Sequence, residues 1–387
     1  MKYRQFGRLD WKASVLGFGC MRFPVLEGDP AKIDEKISES MLLNGIEQGI
    51  NYLDTAYPYH GGQSEPFIGR VLKNGYRQKV HLATKMPTWL TKETKDFDYY
   101  LEEQLGKLQT DHIDFYLLHA LNHQRWEDLK ALGVREWADG IVKSGKVSAI
   151  GFSFHDDYPV FEDIIMEYEG WDFCQIQYNY MDIEEQAGTH GLRLAAARGL
   201  AVVVMEPLLG GRLSNPPTII QSIMSETGSG RTPTDWALQW LWDQAEVSVV
   251  LSGMSAPQHV EENIRSAENA AIGSFSSAEK GTIMQVRATY RALCPIPCTK
   301  CNYCMPCPNG VSIPENFDLL NKANMLDNWG HARWAYGQMD IESRAENCIT
   351  CRECEQVCPQ QIPISDWMPY IHAVLGNNNN YDGRLKP

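Results

Sequence analysis

The chain has 387 residues, 43% of them hydrophobic and 22% charged, and no run of about 18 apolar residues that could cross a bilayer. Its formal charge of −14, from 49 acidic against 35 basic side chains, argues against a nucleic-acid-binding surface and fits solubility or an electropositive partner. The length suits two or three units at roughly 100–200 residues each, although one α/β barrel uses about 250 alone.

The opening stretch MKYRQFGRLDWKASVLGFG has neither an apolar export segment nor a twin-arginine pair, so the cytoplasm is the expected location. From there to about residue 255 one rhythm repeats: a short apolar β-rich run, then a longer segment of helical periodicity. The runs are SVLGFG at 14, GINYLDTA at 49, VHLATK at 80, DFYLLH at 114, VSAIGFS at 147, FCQIQYN at 173, AVVVMEP at 201 and VSVVLSG at 247. Eight such alternations are what a closed (β/α)8 TIM barrel needs, and near-continuous apolarity suits parallel strands covered on both faces. A doubly wound open sheet is the alternative, but the GFG at 17–19 lacks the third glycine of GxGxxG.

Between the runs, DYYLEEQLGKLQT spaces Tyr100, Leu101, Leu105 and Leu108 as one helical face. TPTDWALQWLW opens with a Thr232 cap and Pro233 at the first helical position. SSAEKGTIMQVRATYRAL from 276 reads as a last helix, with Ser276 and Glu279 spaced as a capping box. Cysteines, prolines and short polar stretches follow, which sets the expected boundary between a barrel over 1–290 and a small domain over 291–387.

Chemistry in such a barrel sits at the C-terminal ends of the strands. Four polar residues stand there: Asp54 ends NYLD, Tyr59 follows in TAYPYHGG, Lys85 ends HLATK and His119 ends DFYLLH. With LDTAYPYHGGQSEPFIG and LLH, residues 1–290 resemble the aldo-keto reductases, which carry an Asp, Tyr, Lys and His tetrad at these strand ends. The resemblance implies reduction of a small-molecule carbonyl, which needs a hydride on carbon and a proton on oxygen. A free tyrosine, with a pKa near 10, donates poorly at neutral pH; a neighbouring cation lowers that value. Tyr59 is then the acid, Lys85 the cation, Asp54 the group that keeps Lys85 charged, and His119 a hydrogen-bond donor to the carbonyl oxygen.

The resemblance also implies a nicotinamide cofactor, NADP or NAD, bound without a Rossmann fold. Ser153 and Gln175 would hold its carboxamide, and Glu206 falls where many members stack an aromatic ring. PLLGGR would offer backbone amides at Gly210 and Gly211 to the pyrophosphate. LSGMSAPQHVEEN would meet the adenosine through Ser252, Gly253, Met254, Gln258, Glu262 and Asn263. Gly253 and His259 occupy positions where many relatives place Lys and Arg against a 2′-phosphate, so NADPH and NADH both stay open. Arg22 is a charge for this pocket or a surface ion pair, and His60 and His155 line it or serve the loops. None of the eleven tryptophans is assigned to it.

Nine of the eleven cysteines lie between 294 and 358, which in a reducing compartment reads as metal binding. Cys348, Cys351, Cys354 and Cys358-Pro359 have the spacing of bacterial two-cluster ferredoxins; Cys298, Cys301, Cys304 and Cys307-Pro308 are one residue shorter before the last thiol. Carried over, the ferredoxin pattern crosses the fourth cysteines. Cys298, Cys301, Cys304 and Cys358 would hold one [4Fe-4S] cluster, and Cys348, Cys351, Cys354 and Cys307 the second. Two structural zinc sites are the alternative, and Cys294 is a spare thiol.

Three arrangements of the whole remain open. The barrel is a carbonyl reductase with a stiffening tail; or the clusters exchange electrons with an external ferredoxin-like carrier and a bound cofactor, a flavin included. In the third, the protein is a redox-sensing or accessory subunit without carbonyl reductase activity. The intact tetrad favours the reductase. No nucleic acid and no membrane is expected as partner.

Overall fold

The structure, a computed structural model, describes residues 1–298 and 300–383. They form two compact units: Met1–Ser214 with Arg231–Ser276, and Asn215–Gly230 with the chain from Ser277 onward. The composition shift near 290 and this division at 276 differ by one helix, Ser277–Ala292, which packs against Thr218–Ser225 within the second unit. Composition cannot see that helix change sides, because its own residues are ordinary helix formers.

In the first unit eight parallel strands close into a barrel: β1 (Leu16–Gly19), β2 (Tyr52–Asp54), β3 (His81–Met86), β4 (Ile113–Leu121), β5 (Val147–Phe154), β6 (Phe173–Gln177), β7 (Ala201–Met205) and β8 (Val247–Ser252). Each falls within or across one of the eight predicted runs. β8 closes the ring on β1, with Val250 opposite Leu16 and Ser252 opposite Phe18.

Side chains alternate between two cores, as the period of two in a strand requires. Leu53, Leu82, Tyr116, Leu118, Phe152, Val202 and Val204 face the helices. Tyr52, Ala83, Leu117, Ala149, Phe173 and Val203 fill the barrel interior. Its lower end is plugged by a hairpin that the sequence pattern did not reveal, Tyr3–Gln5 against Lys12–Ser14. Beyond its first strand Phe6 sits 4.6 Å from Phe115 and 5.7 Å from Phe173, ring to ring. Gly151 makes room for this floor: a Cβ there would come within 2.6 Å of the Phe173 ring. With aromatic rings filling the bottom, only the upper end is left for polar groups.

The helix Lys95–Leu108 ends on Gln109 in the left-handed conformation, and Pro233–Trp242 begins as predicted, with the Thr232 hydroxyl accepting from the Asp235 N–H at 3.1 Å. Among the described residues no helix is long and apolar enough to cross a membrane.

The second unit is built on Ile313–Met325, Trp329–Gln338 and Ile364–Ile371, whose Phe317, Leu320, Trp367 and Met368 share one core. Buried amides pin the cysteine loops to it. Asn321 accepts from the Ile296 N–H and donates to its carbonyl, and Asn316 donates to the Ser343 carbonyl while accepting from the Ala345 N–H.

Candidate functional site

The alternation that fills the barrel interior also places its polar top. Asp54 lies two residues beyond Tyr52, Lys85 two beyond Ala83, His119 two beyond Leu117 and Gln175 two beyond Phe173, so all four continue the inward rows toward the C-terminal ends of their strands. Lys85 and Asp54 are 0% and 2% exposed. Lys85 Nζ donates to Asp54 Oδ1 at 2.8 Å, to the Thr55 carbonyl at 2.7 Å and to Tyr59 Oη at 3.3 Å, which uses all three of its protons. Tyr59 reaches this cluster from the turn Tyr59–Gly62, where His60 and Gly61 adopt left-handed backbone.

Burial works against the Lys85 charge, but Asp54 and Tyr59 outweigh it and hold the ammonium above its ordinary value. Burial pushes the Asp54 carboxyl up while Lys85 pulls it back down; the ion pair at 2.8 Å is the form that serves both. For Tyr59 the balance differs from the simple expectation of a cation-lowered phenol. Burial raises it more than Lys85 lowers it, so the phenol stays protonated at neutral pH.

His119 stands edge-on to Tyr59, ring centroids 6.2 Å apart. A break in register between Leu118 and Leu121 and a left-handed Ala120 (φ 53°) end its strand irregularly, and Thr88 Oγ1 donates to the His119 carbonyl at 2.7 Å. Burial, then Lys85, His155 and Arg125, hold the imidazole well below 6.5, so it is neutral.

Ser153 and Gln175 lie opposite each other on β5 and β6. The Ser153 hydroxyl accepts from the Ala120 N–H at 2.7 Å, which leaves its own proton to give, and buried Gln175 Oε1 has no partner. One free donor beside one free acceptor fits a carboxamide. Glu206 is exposed at φ 53°, its carbonyl accepting from Asn179, and Gly210 and Gly211 follow at φ 68° and 93°, both exposed. Beyond β8 the predicted residues divide. Ser252 and Asn263 are buried and bonded to each other at 2.8 Å, and Met254 is in the outer core; Gly253, Gln258 and Glu262 are exposed. Arg22 makes no ion pair among the described residues. Its chain lies against Gly253, and its Nη2 would be 3.6 Å from a Cβ on Gly210.

Of the loop histidines, His60 is a structural residue, its Nδ1 2.8 Å from the Pro30 carbonyl, whereas His155 is exposed and close enough to lower His119. Two residues at the mouth were not foreseen. Trp89, at 5.2 Å ring to ring from His119, breaks the expectation that every tryptophan serves elsewhere, and Arg125 lies over its ring at 5.8 Å. The signal available was position alone, since both lie in loops or first turns following strands.

In the second unit the cysteines group in the crossed pattern. One small cavity is lined by Cys298, Cys301, Cys304 and Cys358, and another by Cys307, Cys348, Cys351 and Cys354. Both motifs wind alike: Lys300 and Thr350, two residues after the first thiol, and Asn302 and Arg352, one after the second, are all left-handed. Burial holds Cys298, Cys304 and Cys348 above the ordinary thiol value and Cys354 up at about 12, so these sulfurs keep their protons until a metal displaces them. Among the described residues no three His, Cys, Asp or Glu side chains are placed around a single ion. Cys294 lines neither cavity; its thiol lies 3.9 Å from Met325 Sδ.

Known proteins match both halves. The Aldo/keto reductase family model matches residues 15–274 and the 4Fe-4S dicluster domain model residues 297–362. The uncharacterized oxidoreductase YqkF of Bacillus subtilis (strain 168) is 25% identical over 69% of this chain and 91% of its own. The NADH-specific methylglyoxal reductase of Escherichia coli (strain K12) is 25% identical over 68% of this chain and 93% of its own. Among solved structures, the holo form of aldo-keto reductase AKR11C1 from Bacillus halodurans aligns with a TM-score of 0.63 and 26% identity, covering 74% of this chain and 96% of that one. With an eight-stranded barrel bearing the tetrad under one model and the grouped thiols under the other, the chain belongs to the aldo/keto reductase family of oxidoreductases and carries a C-terminal 4Fe-4S dicluster domain.

Proposed function

We propose that the protein reduces a carbonyl compound with a nicotinamide cofactor, Tyr59 delivering the proton to oxygen, and that its second unit carries two [4Fe-4S] clusters. The observation that carries this reading is the buried Lys85 ammonium shared between Asp54 and Tyr59. When bound, the nicotinamide supplies the hydride. Asp54 and the Thr55 carbonyl orient Lys85 so that its third proton faces the phenol oxygen. As the Tyr59 proton leaves, the charge appearing on that oxygen meets an ammonium already in place, at no reorganisation cost. Neutral His119 donates a hydrogen bond to the carbonyl without competing as an acid.

Support for the cofactor comes from the free Ser153 proton and the unpaired Gln175 oxygen, matched to the two ends of a carboxamide, and from the relative named as NADH-specific. Support for clusters over zinc comes from the spacing, three closely set thiols in each motif with a fourth from the other, and from the match to the 4Fe-4S dicluster domain model. Tyr303, Ile349 and Val357, exposed beside the cysteines, suit docking of a ferredoxin-like carrier.

The test is NAD(P)H oxidation by anaerobically purified protein across a panel of carbonyl compounds. Tyr59→Phe should lose roughly 100-fold or more in turnover while binding the cofactor within about twofold of wild type. No oxidation by wild type with any carbonyl, or full turnover by Tyr59→Phe, overturns the reading.

A further inference from the structure

The barrel mouth holds a half-buried guanidinium with no carboxylate partner. Arg125 lies in the first turn of the helix His123–Ala131, where its N–H donates to the capping Asn122 Oδ1 at 2.9 Å. Its side chain folds back toward the strand end, Nη1 donating to the Ala120 carbonyl at 2.6 Å and the guanidinium lying over Trp89, beside His119. Among the described residues it makes no ion pair. The acidic residues of its own helix and Asp156, which meets that helix's first residue, are engaged elsewhere: Asp156 accepts from the His123 N–H, Asp128 from Gln124, and Glu127 pairs with Lys130. By contrast Arg77, also half-buried, is paired with Asp114 at 2.8 Å. Withdrawing a cation from water without an anion is costly, so an unpaired guanidinium at the barrel mouth is placed to receive one.

We infer that Arg125 anchors a carboxylate carried by the substrate, which makes the substrates oxo acids, aldehydes or ketones bearing a carboxylate beyond the reacting carbonyl. With Nη1 turned to Ala120, the other face of the guanidinium fork remains, and it matches two carboxylate oxygens. Trp89 then forms the apolar wall between the anchor and the carbonyl at His119. A single guanidinium suits a monoanion better than a phosphate dianion.

The inference rests on the carbonyl reductase reading, and its test separates the two. Wild-type protein with its clusters is assayed on 4-oxobutanoate and on 4-oxobutanamide, which share a skeleton and differ in a carboxylate against a neutral amide. The acid should be preferred roughly 10- to 100-fold in kcat/KM, mostly through KM. Arg125→Met should bring the acid-to-amide ratio close to one, and Arg125→Lys, which keeps the charge without the fork, should restore part of it. Equal values in wild type, or a preference surviving in Arg125→Met, overturns the inference. Calorimetric titration with succinate gives a readout free of turnover: wild type should bind it and Arg125→Met at least about tenfold more weakly. Succinate binding of that pattern without reduction of any carbonyl refutes the reductase and keeps the anion site; reduction without acid preference or succinate binding does the reverse. Should Arg125→Met not fold, an Arg125→Lys variant indistinguishable from wild type in both measurements overturns the inference.

Discussion

Lys85 Nζ donates to Asp54 Oδ1 across 2.8 Å with both side chains withdrawn from water. Each charge is tolerable there because of the other. Lys85→Met leaves a buried carboxylate with no counter-charge and should cost about 3–5 kcal/mol, while Lys85→Met with Asp54→Asn should recover most of that loss. Urea unfolding of the two singles and the double closes the cycle. Additive losses would mean that the two groups do not depend on each other.

Behind the same strand a second carboxyl is buried in a network. Glu65, 0% exposed, accepts from Thr84 Oγ1 and Gln104 Nε2, and Gln104 accepts from the Tyr116 hydroxyl. Burial pushes Glu65 above its ordinary 4.5 in spite of those hydrogen bonds. The folded protein therefore holds this proton more tightly than the unfolded chain. The stabilisation is complete below about 4.5 and is lost as pH rises through the raised value. Glu65→Gln keeps the shape without the titration, so its stability relative to wild type should climb with pH above 4.5. Urea midpoints that track wild type at every pH would refute this.

The barrel was legible because parallel strands covered on both faces leave long apolar runs, and all eight appear as strands. Asp54, Lys85 and His119 were legible for a related reason: each is the polar residue that ends an apolar run. The hairpin Tyr3–Gln5 with Lys12–Ser14 escaped because its strands are three residues long and half polar. Arg125 and Trp89 escaped because they lie beyond the strand ends, in a first helical turn and a loop, where no apolar run points to them. Nor could spacing say that burial outweighs Lys85 at Tyr59, since that balance depends on how much protein surrounds the ring.

Neutral His119 has a kinetic consequence. Burial, Lys85, His155 and Arg125 all disfavour its cation, so its protonation lies well below 6.5. The kcat/KM profile for an uncharged carbonyl should therefore be flat from about pH 6 to 8, without a step at the ordinary histidine value. A step near 6.5 in wild type that vanishes in His119→Gln would show a titrating imidazole at the carbonyl instead.

The grouping of Cys358 with Cys298, Cys301 and Cys304, and of Cys307 with Cys348, Cys351 and Cys354, gives a prediction that uncrossed motifs do not share. Two intact clusters amount to about eight irons per chain. Cys307→Ser combined with Cys348→Ser removes two thiols from one cavity, so about four irons should remain. Cys307→Ser combined with Cys298→Ser strikes both cavities, and iron should fall toward zero. In uncrossed motifs the outcomes exchange, because Cys307 and Cys298 would then serve one cluster and Cys348 the other. Iron and sulfide analysis of the two double variants, purified without oxygen, decides between them. Stoichiometric zinc in place of iron would remove the clusters altogether.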